Sequence, residues 1–400
     1  MIDTEILVVG GGIAGSSAAY HLAQHGHQVT LLERGEIASG ASGVNAGAID
    51  SIGWGSEPDL QAHLTAGSQE LFQRIQLEVG EDIEFRQSGA LQAIHTEAQL
   101  EFERGRVQAL RAKGHRVELL TTREARSIEP GFSPSLLGAM YSPLRSQADP
   151  QKTTRAFAAL AQRAGARVLT HHEVTALARR STHGYSVRTS AGELECESLV
   201  IAAGAWCGSL GAMLDLDIPI VPVRGQMWAT ASTTPAVFQT ISSAESAHAW
   251  HRDPGCAPPE LTIRDGVRVT RHLYGRQRRN GEIIFGGDRQ LCGWNTTPDG
   301  AGIDVNRAHT AEVLPFLGAL PIARTWAGLM PFSLDGKPLI GRIPGRDDLW
   351  IVSGLASSGF GRGPMAGKLL ADHLHTGIPA SVLGVADPAR CIRELSRPPV

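Results

Sequence analysis

Short apolar runs separated by a glycine-rich turn open the chain. Residues 6–9 and 29–32 are such runs, and between them Ala14, Ala18 and Leu22 recur every four residues. Continuous runs of this length are typical of strands buried on both faces, and the spacing of four indicates a helix. The chain is therefore predicted to begin with a strand–helix–strand unit.

The pattern changes further along the chain. A helix is predicted to begin after Asp149, because aspartate caps helices and the proline that follows suits a first turn. A buried strand is predicted at 199–204. Short alternating runs such as 282–285 instead predict an antiparallel sheet between residues 218 and 322. We expect this segment to be inserted into an α/β domain.

Composition and charge exclude several classes of protein. The 400 residues are 42% hydrophobic and carry a net charge of −3, which fits a globular protein and offers no electrostatic basis for binding nucleic acid or an anionic membrane. The five cysteines form no C-x-x-C pair, so no disulfide framework or zinc site is predicted, and a reducing cytoplasm is expected. No other metal site is predicted. No apolar run reaches the ~18 residues of a membrane span.

The glycine turn carries the clearest chemical signal. Gly10, Gly12 and Gly15 form G-x-G-x-x-G between a predicted strand and helix, and Glu33 ends the next strand. Such glycines let the backbone approach a pyrophosphate at a helix N-terminus, and the acidic residue accepts hydrogen bonds from a ribose. The turn is predicted to bind a dinucleotide, either FAD or NAD. The small and hydroxyl-bearing residues 39–47 suit a long, bent ligand.

Four further motifs follow in order. They are A-A-G-A-W at 202–206, P-V-R-G-Q at 222–226, W-A-G-L-M-P-F-S-L-D-G-K-P-L-I-G at 326–341 and a glycine- and serine-rich turn at 354–363. Together with the dinucleotide turn they resemble the D-amino-acid-oxidase-like FAD-dependent oxidoreductases, relatives of glycine oxidase, sarcosine oxidase and D-amino-acid dehydrogenase. The resemblance covers nearly the whole chain and implies FAD. It also implies oxidation of a small amine or amino acid by hydride transfer to flavin N5, giving an imine that hydrolyses.

Pattern and resemblance together predict an α/β fold. A Rossmann-type, glutathione-reductase-like FAD-binding domain is expected to carry an inserted α+β substrate domain built on an antiparallel or mixed sheet. We assign residues 1–85, 146–217 and 323–400 to the FAD-binding domain, and residues 86–145 and 218–322 to the substrate domain.

The dinucleotide turn, the small-residue segment and the resemblance define the expected cofactor site. The residues are Gly10, Gly12, Ile13, Ala14, Gly15, Glu33, Arg34, Ser39, Ala41, Ser42, Asn45, Ala46, Gly47, Val174, Ala203, Gly204, Trp206, Gly328, Met330, Gly354, Ser357, Ser358, Gly359, Phe360 and Gly361. The resemblance places Val174 near the adenine and residues 357–361 at a helix N-terminus under the isoalloxazine, where N–H groups stabilise reduced flavin. Noncovalent FAD is expected, because Gly328 stands where sarcosine oxidase has its attaching cysteine.

The substrate side departs from the family pattern. Met330 stands where glycine oxidase has a carboxylate-binding arginine, so another group is needed for a carboxylate. On the predicted strand 270–277, His272, Tyr274 and Arg276 face one way. The resemblance places this strand along the pocket, where Tyr274 matches a pocket tyrosine, and Arg276 is the candidate anchor. Further catalytic candidates are His251, in an irregular segment with His248 and Trp250, and Asp50. Asp50 and Trp54 follow the small-residue segment 39–47, which we call the flavin loop.

Other functions stay open at this point. One is oxidation of a 2-hydroxy acid, with His251 or His272 as the base. Another is a non-catalytic assembly factor or subunit that keeps FAD for structure. The sequence does not specify the electron acceptor, which is oxygen, a quinone or a protein. Several family members assemble, so an oligomer is compatible with the resemblance.

Overall fold

The computed structural model describes residues 3–49, 52, 58–245, 263–264, 267–268 and 272–395. The candidates Asp50, Trp54, His248, Trp250 and His251 lie outside the described residues. The described strands are β1 (Thr4–Val9), β2 (Val29–Leu32), β3 (Ala48–Ile49), β4 (Ala90–Ile94), β5 (Glu118–Leu120), β6 (Gly138–Ser142), β7 (Ser146–Gln147), β8 (Arg167–Leu169), β9 (Val174–Arg179), β10 (Tyr185–Thr189), β11 (Gly192–Ile201), β12 (Leu216–Asp217), β13 (Ile220–Ala229), β14 (Thr240–Ser243), β15 (Ile263–Arg264), β16 (Val267–Arg268), β17 (Tyr274–Gln277), β18 (Ile283–Gly286), β19 (Arg324–Ser333), β20 (Leu339–Arg342), β21 (Leu349–Ser353) and β22 (Arg393–Glu394).

The α-helices with described bounds are α1 (Ile13–Gln24), α2 (Ala41–Val44), α3 (Pro58–Glu78), α4 (Glu97–Ala112), α5 (Thr122–Ile128), α6 (Pro150–Arg163), α7 (Cys207–Ala212), α8 (Gly300–Val313) and α9 (Gly359–Thr376). The short 3-10 helices are Gly204–Trp206, Pro315–Ala319, Ala356–Ser358, Ser381–Ala386 and Pro388–Arg390. No helix in the described part of the chain combines the length and apolar character needed to cross a membrane.

The first sheet holds the glycine turn. Its strand order is β20-β21-β11-β1-β2-β8, with β10 and β9 as an antiparallel extension from β11. The strands from β21 to β8 are parallel to one another. Val8 of β1 belongs to the core formed with α1, α6 and α9, whereas Leu7 belongs to the core on the opposite face. Burial on both faces explains the continuous apolar runs.

The second sheet is mixed. Its strand order is β19-β13-β18-β17-β14-β4-β6-β5, and β14 with β4 is its parallel pair. Strands β13 and β19 are antiparallel partners over ten residues each, from Ile220 with Ser333 to Ala229 with Arg324. Helix α8 packs on this sheet, where Asn306 accepts a hydrogen bond of 2.9 Å from the Trp228 indole.

The predicted class, an α/β fold with a second mixed sheet, is confirmed. Helix α6 begins at Pro150 as predicted, with the Asp149 carboxylate accepting from the Lys152 amide at 2.9 Å. The domain bounds stay a prediction, and one strand differs from them. Residues 324–333 were assigned with 323–400 to the FAD-binding domain, yet they form β19 of the second sheet. Hydrophobic pattern alone does not reveal which distant strand pairs with which.

Two glycines let α9 pack directly against the backbone of α1. A Cβ atom at Gly367 would lie 2.4 Å from the Ala14 carbonyl oxygen, and one at Gly363 would lie 2.6 Å from the Ile13 side chain. Ser17 donates a 2.7 Å hydrogen bond to the Pro364 carbonyl across the same contact. The approach brings the N-termini of two helices to one edge of the first sheet.

We predict that His21 makes the protein acid-sensitive. Burial, with smaller contributions from the charges of Lys368 and Arg74, lowers the pKa of His21 to about 3. An unfolded histidine titrates near ~6.5, so below that pH the unfolded chain takes up a proton that the folded chain excludes. Stability therefore falls as pH drops from 6.5 towards 3, by about 1.4 kcal/mol per pH unit.

Between pH 7 and pH 5, the free energy of unfolding of the wild type should fall by roughly 2 kcal/mol more than that of His21→Leu. Urea unfolding at each pH measures this difference. Replacing the exposed His63 on α3 by leucine is the control and should keep the wild-type slope. Parallel pH profiles for wild type and His21→Leu would contradict the assignment.

Candidate functional site

The turn between β1 and α1 is built for close backbone approach. Gly10 has φ +120°, and a Cβ atom there would lie 2.4 Å from the Ala202 carbonyl oxygen. A Cβ atom at Gly15 would lie 2.1 Å from the Gly10 carbonyl oxygen. Gly12 instead faces the cavity, with the Ser42 hydroxyl 3.0 Å from the position of a Cβ atom. The α1 N-terminus is therefore left open to a phosphate.

The carboxylate of Glu33 is held at the cavity edge. Its two oxygens accept hydrogen bonds from the amides of Gly11 at 2.8 Å and Gly35 at 2.9 Å. Beside it, the Arg34 guanidinium lies 3.8 Å above the Trp206 ring. An oriented carboxylate next to the glycine turn is the arrangement expected for binding a ribose.

The small-residue segment after β2 contains a one-turn helix, α2. The Ser42 hydroxyl accepts from the Ile13 amide at 2.9 Å, so this segment contacts the start of α1 directly. The Asn45 side chain donates to the Ala41 carbonyl at 3.0 Å and accepts from the Gly47 amide at 2.8 Å. These bonds fix the segment across the mouth of the dinucleotide turn.

A cavity of about 1130 Å³ joins the two sheets. It exceeds the ~300–1,000 Å³ typical of small-ligand sites, as expected for a dinucleotide plus a substrate. Its walls include most of the predicted cofactor residues: Gly10, Gly12, Ile13, Ala14, Glu33, Arg34, Ser39, Ala41, Ser42, Asn45, Val174, Ala203, Gly204, Trp206, Gly328, Met330, Ser357, Ser358, Gly359, Phe360 and Gly361. These donors and small residues fit FAD.

Four predicted cofactor residues lie behind the cavity wall instead of on it. They are Gly15, Ala46, Gly47 and Gly354. Gly15 packs on Gly10, as described above. Gly47 and Gly354 have φ of +75° and +73°, and a Cβ atom at Gly47 would lie 2.0 Å from the Ala148 carbonyl oxygen. Their contribution is to backbone shape, which glycine permits and other residues strain.

Sequence reasoning placed Arg276 in the substrate pocket, and the structure does not. The buried guanidinium donates to the carbonyls of Ala46 and Ala148, and Arg276 does not line the cavity. His272 and Tyr274 do line it, with ring centroids 5.9 Å apart. Tyr274 packs against the small cluster that contains Ala46, the residue whose carbonyl accepts from Arg276. The two side chains therefore lie on the same face of the strand, as the alternation predicts. Arg276 lies two residues beyond Tyr274 on β17, where its side chain contacts the backbone of the flavin loop instead of the cavity.

Arg289 is a cavity residue that sequence reasoning missed. It follows β18 after Gly287 and Asp288, its side chain is buried, and its Nη2 lies 2.9 Å from the Ser357 hydroxyl. Burial lowers the pKa of Arg289 to about 10, so the guanidinium remains charged at neutral pH. The available signal was a charged residue three positions after an apolar strand.

The electrostatics of this wall keep its histidine neutral. Burial, with added contributions from Arg289, His309 and Arg145, lowers the pKa of His272 well below its usual range. Burial also raises the pKa of Tyr274. Next to Arg289, burial raises the pKa of Asp288 to about 6 although Gln226 donates two hydrogen bonds to its carboxylate. A fixed cation, a neutral imidazole and a protonated phenol therefore face one end of the cavity.

Comparison with known proteins identifies the family. A profile described as "FAD dependent oxidoreductase" matches residues 5–373. The chain belongs to this family. It is 30% identical to glycine oxidase of Pseudomonas aeruginosa over 377 residues, covering 93% of this chain and 94% of that protein. It is 28% identical to glycine oxidase of Bacillus licheniformis over 379 residues, 92% of each chain.

The solved structure of L-proline dehydrogenase from P. horikoshii superposes on it with a TM-score of 0.83, at 26% identity and over 97% of this chain and 98% of that one. This FAD-dependent oxidoreductase therefore uses FAD to oxidise a small amine or amino acid, as predicted. The comparisons favour neither 2-hydroxy-acid oxidation nor a non-catalytic role.

Gly12→Val is expected to abolish FAD retention, because the branched side chain would project into the space beside Ser42 that a pyrophosphate needs. The measurement is the FAD-to-protein absorbance ratio after purification. Gly300→Val, at a glycine with open space around the Cβ position, is the control and should retain FAD. Normal FAD content in a folded Gly12→Val protein would contradict the pyrophosphate site.

Proposed function

We propose that this oxidoreductase acts on a small α-amino acid or N-substituted glycine whose carboxylate is bound by Arg289. The observation that supports the proposal is the position of that guanidinium, which is buried in the cavity wall and 2.9 Å from the hydroxyl of Ser357 in the 3-10 helix Ala356–Ser358. This short helix leads directly into α9, whose N-terminus lies beside that of α1. A carboxylate bound there would sit next to the place expected for the flavin ring.

The chemistry of Arg289 suits this role. A guanidinium presents a planar set of donors that matches a carboxylate in bidentate fashion. Met330, which stands where glycine oxidase has its arginine, has no donor to offer, and it lines the same cavity. Arg289 approaches from β18, whereas Met330 lies on β19 two strands away. We therefore propose that the carboxylate-binding arginine of this protein comes from a different strand of the sheet than the arginine of glycine oxidase.

The remaining wall positions the amine end of the substrate. When bound, FAD supplies the acceptor for the hydride from the α-carbon. The neutral His272 imidazole can accept a hydrogen bond from the substrate amine. Tyr274 can donate a hydrogen bond, and Met227, Leu329 and Met330 give the cavity an apolar wall that excludes water.

The substrates for which the relatives are named support an amino acid as the substrate of this protein. Glycine and L-proline, named for the relatives described above, both carry a carboxylate on the carbon that bears the nitrogen. We also propose a reducing cytoplasmic location, which the free thiols of Cys196 and Cys207 support.

The test compares Arg289→Gln with the wild type on glycine, sarcosine, alanine and proline and on the ethyl ester of each. Loss of a buried charge-assisted contact costs about 2–5 kcal/mol, so kcat/KM for the free acids should fall at least ~30-fold. The esters, which lack the negative charge, should change much less.

Arg106→Gln is the matched control. Arg106 also lines the cavity, but it is paired with Glu103 at 3.1 Å. It should leave the acid-to-ester preference unchanged. Equal losses on acids and esters in Arg289→Gln, or a selective loss of the acids in Arg106→Gln, would contradict the proposal.

A further inference from the structure

Two histidines and two glutamates from distant parts of the chain meet at one end of the second sheet. Strands β4 and β14 are parallel, with Ala93 beside Ser243. His95 and Glu245 each follow two residues later, so they leave the same edge of the sheet side by side. Helix α8 passes over this edge and presents His309 and Glu312, which are three residues apart and share a helix face.

The ligand-forming atoms converge. One such atom each from His95, His309 and Glu312 lies within 4.8 Å of the other two. The His95 Nδ1 atom is 3.7 Å from a Glu312 oxygen, and the His309 Nε2 atom is 3.5 Å from a Glu245 oxygen. The two imidazole rings are 5.4 Å apart between centroids and tilted by 51°.

These spacings differ from direct hydrogen bonds in the same protein. His25 with Asp372 and His171 with Glu36 each have a nitrogen–oxygen distance of 2.9 Å. The 3.5 and 3.7 Å gaps are too long for good hydrogen bonds. They come close to the spacing of about 3.3 Å between neighbouring ligands of a tetrahedral ion with bonds of about 2.0–2.1 Å.

We propose that His95, His309 and Glu312 form a Zn²⁺ site in the second sheet, with Glu245 beside His309 and water in the fourth position of the ion. Imidazole and carboxylate are ligands that Zn²⁺ takes in tetrahedral protein sites. His309 is fully buried and His95 half-buried, while Glu312 is exposed and able to turn toward the ion. The ion links α8 to the end of β4. The proposal does not depend on which substrate the protein oxidises.

The sequence did not predict this cluster, because its residues form no short motif. Zinc was excluded on the cysteine pattern alone, and most strands of the second sheet lie between His95 and His309 along the sequence. Within the described residues, this is the group of histidine, cysteine and acidic side chains whose atoms come close enough to hold one ion.

The test is a titration of the FAD-loaded, chelator-treated protein with Zn²⁺ against a chromophoric competitor. The wild type should bind one Zn²⁺ with submicromolar affinity and unfold at a higher temperature when loaded. Changes to groups that hydrogen-bond to metal ligands lower metal affinity by ~10–100-fold, so the loss of a direct ligand in His95→Gln or Glu312→Gln should lower it by more than ~100-fold. Both residues are at least partly exposed, and unchanged FAD content verifies folding.

Two histidine variants are controls. The His183 Nδ1 atom lies 3.6 Å from an Asp348 oxygen, a distance like those in the cluster, but that pair contains only one imidazole. The His27 Nε2 atom lies 3.1 Å from the His375 Nδ1 atom in a separate cluster at the surface. His183→Gln and His27→Gln should bind Zn²⁺ like the wild type. The proposal is overturned if the wild type binds no Zn²⁺ at micromolar concentrations, if His95→Gln and Glu312→Gln bind normally, or if the loss appears in His27→Gln.

Discussion

The cofactor site depends on backbone contacts too close for any side chain. Gly15 lies against the Gly10 carbonyl, Gly10 against Ala202, and Gly367 of α9 against the Ala14 carbonyl of α1. Each contact draws one element onto another, and together they bring two helix N-termini and the end of β11 around one cavity. Helix N-termini stabilise negative charge, so the same packing that closes the core also prepares a site for pyrophosphate and reduced flavin.

The second sheet supplies the other wall of the cavity, and this wall carries the side chains that are proposed to contact the substrate. Its β13–β19 pairing carries Gly225 opposite Gly328, and Met330 lies beside them. Shortly after β18, the Arg289 guanidinium donates to the hydroxyl of Ser357 in the 3-10 helix that precedes α9. A positive charge fixed by burial, next to a histidine that is kept neutral, favours an anionic substrate with a neutral amine. Burial thus keeps the histidine neutral, whereas Arg289 stays charged because even its lowered pKa of about 10 lies above neutral pH.

Much of the dinucleotide side of the cavity could be predicted from the sequence, because the residues that form it are close together along the chain. A strand, three glycines, a helix and Glu33 follow one another within one unit, and each has a direct physical reason. The substrate half could not be predicted as well. Alternation along β17 correctly placed Tyr274 and Arg276 on one face, but alternation carries no information about depth, and Arg276 lies beneath the flavin loop. Arg289, His95 and His309 acquire their surroundings from strand pairing between distant segments, which no local pattern encodes.

We conclude that this FAD-dependent oxidoreductase removes a hydride from a carbon that bears nitrogen, and we propose that the same carbon bears a carboxylate. The most direct measurement is an anaerobic titration of the FAD-loaded protein, followed by its visible absorbance, with pairs that differ in one atom type: glycine and glycolate, alanine and lactate. An amino acid is expected to bleach the flavin, and its hydroxy analogue is expected to leave the flavin oxidised. Bleaching by the hydroxy acids alone, or by no member of a panel of small amino acids and N-methyl amino acids, would contradict this conclusion.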